Sequence, residues 1–274
     1  MERAVRAKVK RLLRSTNSRL APWGIDGTRA LVTARGSTWV RKDRKEYERQ
    51  RLASDHPDEF PMGRAYPIYE DRDSDAGVAT GHYFHQDLLV AREIFERKPR
   101  RHIDVGSAIY GFVSHVASFR EIEVLDIRPV HATVPGIKFV QQDLMSTDST
   151  FVECTDSVSC LHALEHFGLG RYNDPIDYDG WRKGLAGLTR MLEPQGTLYL
   201  GLPTGREQRV EFNAHRVFSL PFLRGELEKD FTVQRLAFVN DAGDLIPDVD
   251  PHGADADRSL DSNYGCSIWA LQKK

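Results

Sequence analysis

The chain has 274 residues, 40% of them hydrophobic and 28% charged, with a formal net charge of −2. That length suits one large α/β domain with an appendage, or at most two small domains. Apolar runs fall short of the ~20 residues of a membrane span, and the opening MERAVRAKVKRLLR lacks the continuous apolar stretch of a secretory signal. We therefore expect a soluble, cytoplasmic protein.

Positive charge is concentrated at the N-terminus, where residues 1–51 contain 15 Lys/Arg against 5 Asp/Glu, while the remainder contains 23 against 35. Residues 2–14 predict a short basic amphipathic helix. It could dock on the acidic body or on a partner subunit, and it could lie on the anionic inner face of a membrane. Nucleic acid is disfavoured as its partner because aromatic residues are not interleaved with the basic ones.

The arm continues as a connector before the main domain. Residues 15–38, rich in Gly, Ser and Thr, predict a loop, and residues 41–52 predict a highly charged, exposed helix. Prolines and aspartates between residues 54 and 81 break any long element. We therefore assign residues 1–81 to an arm and connector and residues 82–274 to the main domain.

From residue 82 onward, strands and helices alternate. A helix is predicted at 87–97, with Leu88, Leu89, Ala91, Ile94 and Phe95 facing the core. The further predicted elements are strand 101–105, helix 112–119, strands 122–126, 137–140 and 157–161, helix 178–192, and strands 197–202, 231–239 and 267–271, the last two joined by an acidic insertion at 241–263. This order predicts a parallel sheet covered by helices on both faces, with an antiparallel terminal pair completing seven strands.

The first strand ends in a turn typical of nucleotide binding. Ile103 and Val105 lead to Gly106, whose lack of a Cβ lets the backbone approach a ligand. The second strand ends in Asp126, placed to accept hydrogen bonds from ribose hydroxyls. Ala108 stands where dinucleotide folds have their middle glycine, so the loop suits a nucleoside without phosphates better than NAD.

Four motifs, in this order and spacing, resemble those of class I S-adenosylmethionine-dependent methyltransferases over roughly residues 82–274. They are HIDVGS (102–107), VLD (124–126), QQDL (141–144) and LHALEHFGLGRY followed by LEPQGTLYLGLP. The runs LHALEHFGLGRYNDPIDYDG and VEFNAHRVFS further resemble a bacterial and nematode family labelled a domain of unknown function, some members of which occur in surface-glycan contexts. The resemblance implies a Rossmann-like fold and S-adenosyl-L-methionine as cofactor.

The resemblance also implies a set of cofactor contacts. Asp104 and Gly106 would form the turn on the methionine side, Asp126 would bind the ribose, and Asp143 with Leu144 would frame the adenine. The cofactor-binding residues implied in total are His85, Asp104, Gly106, Ser107, Asp126, Ile127, Asp143, Leu144 and Leu161.

Candidate catalytic residues follow strands four and five, where ligands bind in open α/β sheets. They are His162, Glu165, His166 and His215. Methyl transfer to a hydroxyl needs alignment and a general base, and a histidine with a pKa near ~6.5 suits that role. We favour His162 as the base because the end of a strand fixes its position.

The string His162-x-x-Glu165-His166 also matches an inverted zinc-protease motif. Gly168 and Gly170 directly after it disfavour the helix that such a motif requires, so no metal is expected. The three cysteines, Cys154, Cys160 and Cys266, show no CxxC spacing and are expected to be free thiols.

Hydrogen-bonding side chains after strands four and five are the candidate substrate contacts. They are Arg171, Tyr172, Asp174, Asn213 and Arg216. Such residues suit a polar acceptor, a sugar or glycan, although structural loops use them as well. The leading hypothesis is an O-methyltransferase; a non-catalytic S-adenosylmethionine-binding module and an NAD(P) oxidoreductase are alternatives, and homo-oligomerisation is left open.

Overall fold

A computed structural model of the chain describes residues 26–73, 77, 79–146 and 150–274. The chain divides into two compact units, Met1–Val78 and Ala79–Lys274. The basic helix expected at residues 2–14 lies outside the described residues. Within them, every helix is too short or too polar to cross a bilayer.

The first unit contains one long helix, α1 (Gly27–Ala53). Asp26 caps its start, since its Oδ1 accepts the Arg29 N–H at 3.1 Å. The charged helix expected at 41–52 is confirmed as its second half. The loop predicted for residues 15–38 is wrong over residues 27–38, and residues 15–25 lie outside the described part of the chain. The cap and the helix-forming residues of 27–38 outweigh the isolated Gly, Ser and Thr residues there. A short 3₁₀ turn, Asp71–Asp73, lies in the connector.

The described residues of the second unit form ten strands and five α-helices. The strands are β1 (His102–Val105), β2 (Ile122–Asp126), β3 (Ile137–Gln141), β4 (Thr155–Leu161), β5 (Leu192–Thr204), β6 (Arg209–Glu211), β7 (His215–Val217), β8 (Phe231–Val239), β9 (Leu245–Ile246) and β10 (Gly265–Lys273). The helices are α2 (His82–Arg97), α3 (Ser114–Ala117), α4 (Gly180–Met191), α5 (Leu220–Leu227) and α6 (Ala254–Asp257).

Eight of the strands form one sheet in the order β3-β2-β1-β4-β5-β10-β8-β9. Strands β1 to β5 are parallel, and β10 lies antiparallel between β5 and β8. The predicted α/β class, a Rossmann-like and mostly parallel sheet with an antiparallel last strand, is confirmed. The predicted count of seven strands is wrong, because the acidic insertion contributes β9, which pairs with the edge of β8.

Helices cover both faces of the sheet, as predicted. Alternate residues of a strand point to opposite faces of the sheet. On one face, Ile103 and Val105 of β1 belong to the apolar cluster that contains Trp181 and Leu188 of α4. The opposite face packs against α2 through Val90, Ala91 and Ile94.

Helix α2 begins at His82, five residues before its predicted start. Its buried face contains Gln86 and Asp87, whereas Leu88 and Phe95 are 45% and 56% exposed. The buried face of α2 therefore differs from the predicted one. Because two of its buried residues are polar, the apolar residues alone do not mark that face in the sequence.

Candidate active site

A cleft lies at the carboxyl ends of β1, β2, β3 and β4, where the strand order reverses between β1 and β4. It consists of two adjoining pockets, which we call the slot and the mouth. Residues that line both are Gly106, Asp126, Arg128, His162, His166 and Tyr172. Ligands of open α/β sheets bind at this position because neighbouring loops diverge there to opposite faces of the sheet.

The slot has mainly apolar walls with carboxylates at its edges. The space between its walls is about 550 Å³, which includes open solvent at its entrance. Five of the predicted cofactor residues line it: Gly106, Asp126, Ile127, Asp143 and Leu144. The other apolar walls come from Val105, Leu125, Met145, Ala163 and Phe167. The slot therefore offers apolar walls with polar groups at its edges.

The mouth is wider and more polar. The predicted residues Ser107, Leu161, Arg171 and Tyr172 line it, together with Tyr83 from the first turn of α2. Tyr83 is 60% exposed, so solvent reaches much of this residue. The mouth therefore suits a ligand that carries hydrogen-bonding groups.

The turn after β1 is held from below by Asp104. Its carboxylate is buried and accepts hydrogen bonds from the Ser107 N–H at 3.1 Å, the Ser107 Oγ at 2.8 Å and the Ser159 Oγ at 2.6 Å. Burial raises the pKa of Asp104 to about 6, although these hydrogen bonds oppose the rise. Asp104 lines neither pocket, and its contacts shape the turn that carries Gly106.

Gly106 could not be replaced without strain. Its φ is +76°, and a Cβ there would stand 2.8 Å from the Cβ of Ala163. Beyond it, the predicted helix 112–119 is reduced to a π-type turn, Ile109–Val113, followed by the four residues of α3. The Gly111 N–H is already bonded to the Ala108 carbonyl at 3.1 Å. This turn therefore differs from the glycine-rich helix start that binds a pyrophosphate.

Asp126 is paired with Arg128, a residue that sequence reasoning missed. The Arg128 backbone N–H and Nε donate to Oδ1 at 2.8 and 2.9 Å, and a terminal guanidinium nitrogen donates to Oδ2 at 2.7 Å. A carboxylate has about four acceptor positions, so one remains for a ligand hydroxyl. The Arg128 guanidinium also lies 4.4 Å from the centre of the Tyr172 ring, which the Arg171 guanidinium approaches at 5.1 Å.

His162 directly follows β4 and forms a buried pair with Glu165. Its Nδ1 lies 2.9 Å from the Glu165 Oε1. Burial alone would lower the pKa of His162, but Cys266 and Glu165 outweigh burial and raise it to about 10. This histidine therefore retains its proton at neutral pH, unlike the base with a pKa near 6.5 assumed from the sequence.

His166 has the properties that the base role requires. It lines both pockets, and its Nδ1 donates to the Ala214 carbonyl at 2.6 Å. Burial is the main reason that its pKa falls below the ordinary value, with Arg171 and His162 adding to the effect and Glu165 opposing it. The ring is therefore neutral at pH 7, and with Nδ1 as the donor its Nε2 holds the free electron pair.

Two predicted substrate contacts have structural partners instead. The Asp174 carboxylate accepts the N–H groups of Gly168, Gly170 and Tyr172 at 2.8, 3.2 and 3.1 Å, and it also borders the slot. Arg216 is buried outside the cleft. Its guanidinium donates to the backbone carbonyls of Glu165, Phe167, Asp177 and Tyr178 at 3.3, 2.6, 3.5 and 3.2 Å.

Three further predicted residues do not line the two pockets: His85, Asn213 and His215. The His85 ring contacts Phe84, and Asn213 is exposed. His215 lies against Tyr264, with ring centroids 5.2 Å apart, and its Nε2 is 3.3 Å from the Glu211 Oε2. These three residues therefore lie outside the two pockets that His162 and His166 line.

Other residues reach His162 without having been predicted. The His82 ring stacks on it at 5.2 Å with an interplanar angle of 4°, and the Tyr83 ring lies 4.9 Å away. Burial first, and then the charge of His162, lower the pKa of His82 to about 4. An earlier predicted start of α2 would have assigned these two side chains to that helix. Their proximity to His162 depends on tertiary contacts, which the sequence does not show.

The chain is thus an α/β protein of the Rossmann-like class with a ligand-sized cleft at the carboxyl ends of its strands. Residues 122–223, from β2 into α5, match the model of a family described as "Caenorhabditis protein of unknown function, DUF268". No curated protein matches the sequence.

Solved structures resemble the chain at low identity. The N-methyltransferase NodS from Bradyrhizobium japonicum, in complex with S-adenosyl-L-homocysteine, is 14% identical, with 83% of this chain and 97% of that chain covered and a TM-score of 0.45. The 1,6-didemethyltoxoflavin-N1-methyltransferase from Burkholderia thailandensis is 14% identical, with coverages of 77% and 100% and a TM-score of 0.48. A TehB-like SAM-dependent methyltransferase from Corynebacterium glutamicum is 19% identical, with coverages of 67% and 86% and a TM-score of 0.44. Similarity at this level assigns no activity, ligand or substrate to the chain.

Proposed function

We propose that the chain is an S-adenosylmethionine-dependent methyltransferase whose cofactor binds in the slot. The observation that carries this proposal is the apolar slot at the strand ends, bordered by Asp126 at the end of β2 and Asp143 just after β3. Apolar walls favour an adenine ring, and a carboxylate with a free acceptor position favours a ribose hydroxyl.

The residues present fit this cofactor. Gly106 brings the backbone up to the cleft without a Cβ, and the Asp126 carboxylate keeps one acceptor position beside Arg128. The turn after β1 lacks the middle glycine of dinucleotide loops, which favours a nucleoside ligand without a diphosphate. When bound, S-adenosylmethionine supplies an electrophilic methyl group on a sulfonium.

The acceptor that we propose is a hydroxyl of a sugar, a glycan or a comparable polar metabolite. Its support is the polar mouth, where Tyr83, Ser107, Arg171 and Tyr172 offer hydrogen-bond donors and acceptors. An acceptor held there would lie against His166, which lines the mouth as well as the slot.

In this proposal His166, rather than His162, is the general base. Its Nε2 accepts the hydroxyl proton as the acceptor oxygen becomes nucleophilic. The resulting imidazolium is stabilised by the Ala214 carbonyl at Nδ1 and by the Glu165 carboxylate, whose Oε1 lies 3.7 Å from Nε2. His162 keeps Glu165 ionised, because their hydrogen bond and mutual attraction outweigh the burial that would raise the pKa of that carboxyl.

The alternative that a specific observation favours is a binding module without catalysis. Arg128 already engages Asp126 in three hydrogen bonds, and a cofactor that needs both carboxylate oxygens would compete with it. Both functions predict binding of the adenosyl ligand. Only the transfer of its methyl group distinguishes them.

Calorimetry with S-adenosylmethionine, S-adenosylhomocysteine, NAD⁺ and NADH tests the cofactor assignment. We expect both adenosyl ligands to bind and both nicotinamide ligands to fail, and no binding of either adenosyl ligand would overturn the proposal. Methyl-labelled cofactor, incubated with nucleotide sugars, free hexoses and glycan fragments, then tests the acceptor class. Cofactor binding without transfer to any polar acceptor would favour the non-catalytic module.

A further inference from the structure

Three metal-ligating side chains meet at a place to which no role has yet been given. They are His82 at the start of α2, His162 after β4 and Cys266 at the second residue of β10. One ligand atom from each lies within 4.8 Å of the other two. His162 and Cys266 are buried and His82 is half-buried, and neither His82 nor Cys266 lines the slot or the mouth.

The imidazole of His162 has one nitrogen committed and one free. Nδ1 is bonded to Glu165, whereas Nε2 is buried and has no hydrogen-bond partner among the described residues. A buried polar atom without a partner is unfavourable. A ligand bound at Nε2 of His162 would therefore remove this unfavourable state.

His162 is held in the way that metal-binding histidines usually are. Such residues donate their second ring N–H to a carboxylate or a backbone carbonyl, which fixes the ring and the tautomer. His162 has the Glu165 carboxylate for this purpose. The backbone of Tyr264 favours the protonated form of His82, although burial lowers the pKa of that histidine to about 4.

The third group, Cys266, is held only weakly by its surroundings. Its Sγ lies 3.9 Å from the Gln86 Oε1 and 3.7 Å from the Ser267 carbonyl oxygen. Both are weak thiol contacts. Ion binding would replace the thiol proton and also the Nε2 proton that His162 otherwise retains. With Glu165 at Nδ1, the resulting thiolate would place a second negative charge near the His162 ring.

We propose that His82, His162 and Cys266 bind a divalent zinc ion, with water as the fourth ligand. Two imidazoles and a thiolate suit a borderline transition metal, whereas Mg²⁺ and Ca²⁺ prefer oxygen ligands. Zinc bonds of roughly 2.0–2.3 Å place tetrahedral ligand atoms about 3.3–3.7 Å apart. The cluster reaches that geometry by closing about an ångström, through rotation of the half-exposed His82.

Such an ion would connect three segments that are distant in the chain, the start of α2, the end of β4 and the start of β10. The site shares His162 and its partner Glu165 with the proposed methyl transfer, but metal binding is measured without methyl transfer, so either proposal can fail alone. The ion would also fix the ring of His162 where it borders the cleft.

The test is a titration of the full chain with Co²⁺ under reducing conditions, followed by displacement with Zn²⁺. We expect one Co²⁺ per chain, a thiolate-to-cobalt charge-transfer band, and its loss when Zn²⁺ is added. Cys266→Ser should abolish the band, while Cys154→Ser, which changes a thiol outside the cluster, should keep it. Glu165→Gln should weaken Zn²⁺ binding about 10- to 100-fold, as changes to the partners of metal ligands do.

A second pair of variants keeps the test decisive if Cys266→Ser fails to fold. His82→Ala should weaken Zn²⁺ binding at least ~10-fold, whereas His85→Ala, one turn further along α2, should leave it unchanged. Equal affinities in these two variants, or a wild-type protein without the thiolate band, would overturn the site. Metal analysis of protein purified without chelators should find zinc. Two histidines and a cysteine can also bind copper, so copper in place of zinc would overturn the assignment of the ion.

Discussion

Replacing Asp126 by alanine tests the cofactor site most directly. Arg128 occupies three of about four acceptor positions on the carboxylate. One charge-assisted hydrogen bond to a ribose hydroxyl can therefore form without displacing it, and such a bond contributes about 1.5–3 kcal/mol. Asp126→Ala should accordingly weaken S-adenosylhomocysteine binding about 10- to 150-fold.

Arg128 provides the second arm of the experiment. Its side chain is 48% exposed, and ion pairs of exposed side chains contribute about 0–1 kcal/mol. Arg128→Ala should therefore change the affinity less than about fivefold, even if a second ribose hydroxyl competes for Asp126.

The affinities are measured by calorimetry, with thermal unfolding recorded for each variant. Glu121→Ala is the matched control, because Glu121 is an exposed carboxylate just before the opposite end of the same strand. If Asp126→Ala binds S-adenosylhomocysteine like the wild type while its melting temperature falls, Asp126 serves only to hold Arg128 and the turn. That result would refute the reasoning.

Two further predictions concern titrating groups. His166→Ala should lower kcat about 10²- to 10⁴-fold and remove the acidic limb of the pH–rate profile, which lies below pH ~6.5. The control His252→Ala, a change at a 62% exposed side chain, should leave both the rate and the limb unchanged. A wild-type rate with the limb intact in His166→Ala would place the base elsewhere. Because burial raises the pKa of Asp104 to about 6, its protonation stabilises the fold fully below pH ~3.8, and this contribution is lost as pH rises through about 6. Denaturant unfolding should show the wild type losing about 3 kcal/mol relative to Asp104→Asn between those limits, and parallel profiles for the two proteins would contradict this.

The sequence was most informative where a signal is local. Apolar runs that end in Gly106 and Asp126 mark two strand ends, and in a parallel sheet such ends share one edge. This rule was sufficient to place Gly106 and Asp126 beside one pocket, whereas the position of Asp143 there was implied by the family resemblance. Local reasoning failed at residues 27–38, where one capping aspartate extends a helix through Gly, Ser and Thr residues that also suit a loop.

What the sequence could not predict depends on tertiary contacts. His82 and Cys266 are far apart in the chain, and no spacing rule connects either of them to His162. The protonation states of His162 and His166 follow in the same way from burial and neighbouring charges. Two histidines four residues apart therefore acquire pKa values shifted in opposite directions.

The hydrogen bonds of Arg216 have a consequence for the evolution and engineering of the cleft. This one guanidinium, on β7, binds the backbone on both sides of the loop that carries Arg171 and Tyr172. Because the bonds are to backbone carbonyls, the side chains of that loop can vary while its anchorage stays the same. New acceptor preferences could therefore arise by substitution at the loop tip, whereas a change at Arg216 would release both ends of the loop at once.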